Sequence, residues 1–123
     1  MSFHPEWIDW MPSPPLAPCS GPIDFDHLER ATFGDIRLER EVLSMFLAQS
    51  ARLLGAILAA PAEAAALAHT LKGSARAVGA FAVADHALAL ETAIGARRDP
   101  SQAAAELEEA VAEARDAIEG MLG

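Results

Sequence analysis

The chain has 123 residues, 52% of them apolar, and a net charge of −9, which suits one domain with a core of its own and rules against disorder throughout. A surface this acidic, with a sequence pI near 4.7, repels phosphate backbones and excludes nucleic acid as the expected partner. The sole cysteine, Cys19, has no mate for an internal disulfide, which fits a reducing compartment.

In chain order, the start MSFHPEWIDWMPSPP lacks the basic flank and continuous apolar core of a signal peptide. No apolar run is read as nearing the ~20 residues of a membrane span, so the cytoplasm is the expected address. Over residues 1–22, Pro5, Pro12, Pro14, Pro15, Pro18 and Pro22 forbid a continuous helix, while Phe3, Trp7 and Met11 keep helical spacing. This zone is expected to be an arm covering an apolar groove on the rest of the molecule. A partner-binding or dimerising arm and a disordered segment are the alternatives.

Residues 23–123 read as helical throughout, rich in alanine and glutamate and without alternating strand patterns. A first short helix is expected from about Asp24, its N-cap, to Thr32, ended by Gly34. The second spans about Asp35 to Ala59, with Ile36, Leu43, Phe46, Leu47, Leu54, Ile57 and Leu58 as its apolar stripe. Pro61 suits the first turn of a third helix reaching Val78, and Gly79 breaks it. A fourth runs from Phe81 to about Ala96, followed by a break at Asp99-Pro100-Ser101. The fifth runs to about Leu122, with Leu107, Val111, Ala114, Ile118 and Leu122 facing inward. Short connections between long helices imply antiparallel neighbours. The expected fold is an all-α, antiparallel four-helix bundle, with the first helix as a short lid.

On the third helix, Leu67, Leu71, Ala75 and Val78 share one side at about 100° per residue, and His69 projects from the opposite one. Around His69 lie Ala62, Ala65, Ala66 and Gly73, with two cations, Lys72 one turn and Arg76 two turns onward. A plain solvent face would carry long polar side chains, and a mid-helix glycine costs about 1 kcal/mol relative to alanine. So bare a face admits another backbone or helix, and the cations suit an anion held at the imidazole. An imidazole with an ordinary pKa near ~6.5 is largely neutral at cell pH, and its free ring nitrogen is a nucleophile able to hold a phosphoryl group. An ordinary surface histidine stays open as the alternative on these residues alone.

The run Ala68-His69-Thr70-Leu71-Lys72-Gly73-Ser74-Ala75, followed by Val78-Gly79-Ala80, closely resembles the signature of the histidine-containing phosphotransfer (HPt) domain, His-x-Leu-Lys-Gly-(Ser/Ala) with an apolar residue and glycine beyond. The resemblance extends more loosely over Asp24 to Leu122, with Leu43 to Leu58 similar to the family's second helix. It implies that His69 is phosphorylated at Nε2, that Lys72 helps hold the phosphoryl group and that Gly73 gives a receiver domain room to dock. Glu91 matches the family position that bonds the histidine's other nitrogen. Geometry adds to this. His69 and Glu91 lie about equally far from the Gly79-Ala80 turn, so antiparallel helices bring them level. Glu91 also shares a side with Ala84, Ala87 and Ile94. A carboxylate solvated at a helix edge is the alternative for it.

Other features carry less. His86 falls opposite Glu91 and is read as exposed and idle; His4 and His27 lack ligand-like company. The repeated Glu-x-x-His pairs of bundle metal sites are missing, and so are phosphate-binding glycine loops. No metal site is therefore expected. The acidic fifth helix, with Glu106, Glu109, Glu113 and Asp116, reads as a solvated face. The resemblance implies a phosphorelay intermediate exchanging a phosphoryl group between His69 and the aspartate of a response-regulator receiver domain. A sensor or hybrid histidine kinase is the further expected partner. No cofactor of its own is expected, any Mg²⁺ belonging to the receiver, and partner contacts are expected at Ala65, Ala66, Gly73 and Arg76. The rival readings are a non-catalytic docking adaptor and a detached phosphoacceptor domain of a histidine kinase. Thr70, standing where sensor-kinase dimerisation helices carry an acidic residue, speaks against a dimerisation domain of that kind, whereas a chemotaxis-kinase-type phosphoacceptor domain shares the motif.

Overall fold

The structure, a computed structural model, describes residues 21–122. Apart from Gly21 and Pro22, the arm expected over residues 1–22 lies outside the described residues, as does Cys19. Helix α1 is Phe25–Ala31 and α2 is Ile36–Ala59. A 3₁₀ turn, Pro61–Glu63, leads into α3, Ala64–Val78; α4 is Phe81–Gly95 and α5 is Ser101–Leu122. Among the described residues there is no strand. The all-α architecture is thus the one expected, and each predicted helix is present.

Local chemistry sets the boundaries. Asp24 caps α1, its carboxylate accepting from the backbone N–H of His27 at 3.1 Å. Asp35 caps α2 by accepting from Arg37 and Leu38. Both leave a carboxylate at the positive end of a helix. Asp99 plays the same part before α5, accepting from the backbone N–H and hydroxyl of Ser101. The Ser101 backbone N–H is the main reason its carboxyl titrates below the usual aspartate range. Helix α3 ends in a Schellman turn. Gly79 is left-handed at φ +88°, and Ala80 donates back to the carbonyl of Ala75 at 2.8 Å.

Helices α2 to α5 close a ring in which α3 packs on α4, α4 on α5, and α2 on both α3 and α5. Their shared core is built on Leu43, Phe46, Leu53, Leu71, Val83, Leu90, Leu107 and Ile118, with many buried alanines between them. The α3–α4 seam is the most alanine-rich. Ala68, Ala75, Ala84 and Ala87 are all essentially without solvent contact, so methyl groups rather than long side chains fill the space between these two helices. Helix α1 lies across the end of this hairpin, burying Ile23 and Leu28. The Asp24 N–H donates to the carbonyl of Gly79 at 2.8 Å.

Two expectations about α2 need correction. Ile36 is 66% exposed and Leu58 47% exposed, so neither belongs to the buried stripe. Leu47 and Leu54 are half-buried, and the buried line is Leu43, Phe46, Ser50, Leu53 and Ile57. The helix carries apolar residues on more than one side, so periodicity alone left its rotation open by one residue. Ser50 is tolerated inside because its hydroxyl donates to the carbonyl of Leu47 at 3.2 Å. The second correction concerns the apolar run. By length and composition α2 is long and apolar enough to cross a membrane. From Val42 to Ala59 its one charged residue is Arg52. In this fold the helix turns Leu43, Phe46, Leu53 and Ile57 into the bundle core.

Candidate functional site

The middle of α3 presents His69 to solvent, its side chain 65% exposed. The helix buries Ala64, Ala68, Leu71, Ala75 and Val78, which fixes the rotation that points His69 outward. Around it Ala62, Ala66, Gly73 and Arg76 are exposed and Ala65 is half-buried, so the face is as free of bulk as expected. Thr70 turns its hydroxyl back onto the carbonyl of Ala66 at 3.2 Å. A Cβ added at Gly73 would meet nothing within 4 Å. The fold itself therefore gives no steric reason for glycine there.

Glu91 on α4 comes level with His69 across the alanine seam. Its Oε2 lies 3.0 Å from His69 Nδ1, and its Oε1 accepts from the Lys72 ammonium at 3.1 Å. One carboxylate thus ties together an imidazole and an ammonium from consecutive turns of the neighbouring helix. The Lys72 hydrogen bond is the chief cause that holds the Glu91 carboxyl below the usual glutamate range. Partial burial opposes it, and the His69 bond adds to it. An ionised carboxylate only accepts hydrogen bonds, so the proton in the 3.0 Å contact sits on His69 Nδ1. In the neutral ring that leaves the lone pair on Nε2, the outward nitrogen.

Reading the sequence paired Glu91 with His69 but missed its bond to Lys72. Lys72 was expected as a free cation for an anionic group; its side chain is 13% exposed, and its ammonium rests on Glu91. The spacing of Lys72 one turn beyond His69 was the available signal. Arg76 stays exposed and makes no ion pair among the described residues.

His86 and His27 also differ from expectation, and His4 lies outside the described residues. His86, read as idle, is 39% exposed with Nδ1 3.8 Å from a carboxylate oxygen of Glu106. His27, read as lacking company, reaches the carbonyl of Ala77 with Nε2 at 3.3 Å and packs edge-on against Phe81 at 5.1 Å. It fastens α1 to the C-terminal end of the helix that carries His69. Arg40 likewise closes the end of α5, its guanidinium donating to the carbonyls of Leu122 and Met121. Among the described residues no group of three or more His, Cys, Asp or Glu side chains converges as a metal site.

Comparison with known families adds to this geometry. The family model described as the Hpt domain matches residues 41–119, from the first turns of α2 to near the end of α5, and so includes His69, Lys72 and Glu91. No curated protein and no solved structure matched the chain.

Proposed function

This chain belongs to the Hpt domain family, and from that premise we propose that His69 is its phosphoryl carrier, exchanging the group with the aspartate of response-regulator receiver domains. The observation that carries this reading is the Glu91 carboxylate held on Nδ1 of an otherwise exposed imidazole.

Nε2 of neutral His69 attacks the phosphorus of an aspartyl phosphate. The N–P bond forms as the acyl O–P bond breaks, and the receiver's carboxylate leaves with the electron pair. The ring keeps its Nδ1 proton and becomes a phospho-imidazolium, whose positive charge develops directly against Glu91. A fixed carboxylate there stabilises the charged ring without reorganisation. Reversing the steps returns the phosphoryl group to a receiver. Lys72 anchors Glu91 with one N–H and keeps two further donors for a phosphoryl oxygen. Both His69 and Lys72 bind the same carboxylate, so the ammonium lies beside the ring. Any Mg²⁺ belongs to the receiver, and this chain supplies the nucleophile, its orientation and local charge.

Receivers meet the face made by Ala65, Ala66, Gly73 and Arg76. Small residues let a partner backbone approach, and exposed Arg76 offers a cation to an acidic receiver pocket on a protein that is otherwise acidic. The interface is expected to be modest and transient. A histidine kinase, alone or through its attached receiver, is the upstream donor.

The deciding experiment incubates the protein with phosphorylated receivers and follows the label. His69→Gln is expected to abolish labelling while the helical content measured by circular dichroism stays unchanged. Acid-labile, base-stable label on the wild type would mark phosphohistidine. A labelled His69→Gln protein would sink the assignment. Lys72→Ala is expected to slow transfer without unfolding the bundle.

A further inference from the structure

A groove of about 430 Å³ opens at the end of the bundle opposite α1, where α2 and α4 finish and α3 and α5 begin. Its floor is apolar, formed by Ile57, Pro61, Leu90 and Ile94, and Leu58 stands on it 47% exposed. At its mouth sit Arg97 and Arg98. Both are exposed, and neither makes an ion pair among the described residues. The neighbouring Asp99 is turned toward Ser101 instead. Arg97 also holds a left-handed backbone, φ +60°. It stands at the turn position after α4 that glycine usually fills, with Arg98 donating back to Ala93. Among the described residues no side chain covers this apolar trough, and with two adjacent cations it suits an occupant that is apolar and acidic.

We propose that the occupant is this chain's own leading segment, residues 3–11. Its composition complements the groove. It carries Phe3, Trp7, Trp10 and Met11 with the acids Glu6 and Asp9, and residues 1–20 contain no lysine or arginine. The reach also fits. The described chain starts at Gly21, beside the end of α3 where Asp24 bonds Gly79. Helix α3 has 15 residues, so the groove lies roughly 22 Å away at ~1.5 Å per residue. Nine residues, 12–20, with prolines at 12, 14, 15 and 18, can span about 28 Å at the ~3.1 Å per residue of a proline-rich chain. That length is enough for residues 3–11 to reach the groove. Indoles on an apolar floor bury large area, and Glu6 and Asp9 meet Arg97 and Arg98. A second groove, about 180 Å³ beside Met45 and Val78, lies near where the chain emerges and has no cation in its lining, so it leaves both acids unanswered.

The test uses the intact protein. Both tryptophans lie in this segment and the chain has no tyrosine, so tryptophan emission reports on it alone. Acrylamide quenching is expected to be several-fold weaker than for a free tryptophan amide, independent of protein concentration. Arg98→Glu, Leu58→Glu and Arg97→Gly should each restore quenching toward the free value with helical content kept. Pairing Glu6→Arg with Arg98→Glu should recover part of the shielding. Arg97→Gly and Arg98→Glu are surface changes and carry the test if Leu58→Glu disturbs folding. Quenching equal to the free amide in the wild type overturns the proposal. So does shielding that survives these variants, that yields only to Met45→Glu, or that fades on dilution together with a dimer seen by sedimentation. His69→Gln should leave all of this unchanged, which separates the inference from the phosphotransfer reading.

Discussion

Glu91 is the residue on which the site turns, because it holds an imidazole and an ammonium at once. Lowering of its carboxyl below the usual range, caused first by the Lys72 bond, makes a stability prediction with a definite sign. A carboxyl titrating lower in the folded than in the unfolded chain contributes fully above the ordinary glutamate range. That contribution is lost as pH falls through the folded value. Glu91→Gln is therefore expected to cost about 0.5–1 kcal/mol in urea denaturation near pH 7. The gap to wild type should narrow as pH falls below the ordinary glutamate range and close once the folded carboxyl, which titrates lower, is protonated as well. A gap that persists in acid would mean that the amide disrupts packing instead. The same variant leaves an acceptor near Nδ1 but removes the charge opposite the developing imidazolium. Transfer from a receiver should slow by about tenfold or more, as read by rapid-quench labelling; an unchanged rate would remove Glu91 from the chemistry.

At the level of elements, the α3–α4 hairpin and the α1 lid meet at Gly79. A Cβ there would stand 2.8 Å from the Asp24 carbonyl oxygen, on a backbone already at φ +88°. Gly79→Ala is expected to cost about 2–3 kcal/mol, from left-handed strain and from displacing α1. Gly55, exposed in α2 with nothing within 4 Å of an added Cβ, makes the opposite prediction. Gly55→Ala should stabilise by about 0.5–1 kcal/mol, because an alanine has less unfolded freedom to lose. Urea midpoints for the two variants check the pair, and shifts of equal sign would refute this account of the lid. The lid's second fastening, His27 on the Ala77 carbonyl, could not be foreseen from spacing. It joins residues far apart in the chain, and no local pattern marks it.

Across the whole molecule, stability rests on a core that many small side chains share among four helices. Leu71 has no solvent contact and sits on the helix that displays His69. Leu71→Ala should cost about 3 kcal/mol, a large part of the ~5–15 kcal/mol that holds an ordinary domain. Ile36→Ala, on a residue 66% exposed, should stay within about 0.5 kcal/mol of wild type. Thermal or urea unfolding checks both, and the Ile36 variant distinguishes the observed rotation of α2 from the one its periodicity suggested. A large loss at Ile36 would restore the predicted stripe.

The number of helices, their breaks and caps, and the outward, uncrowded setting of His69 follow from the sequence by itself, because each depends on residues within a turn or two of one another. Asp24, Gly79 and the small residues flanking His69 act locally and read locally. Tertiary structure alone decided that Lys72 and His69 share the two oxygens of one carboxylate. It also decided that Leu53 rather than Leu58 enters the core and that His27 closes the end of α3. These depend on how far apart neighbouring helices settle and how each is rotated, and both are set by the packing of all the helices together.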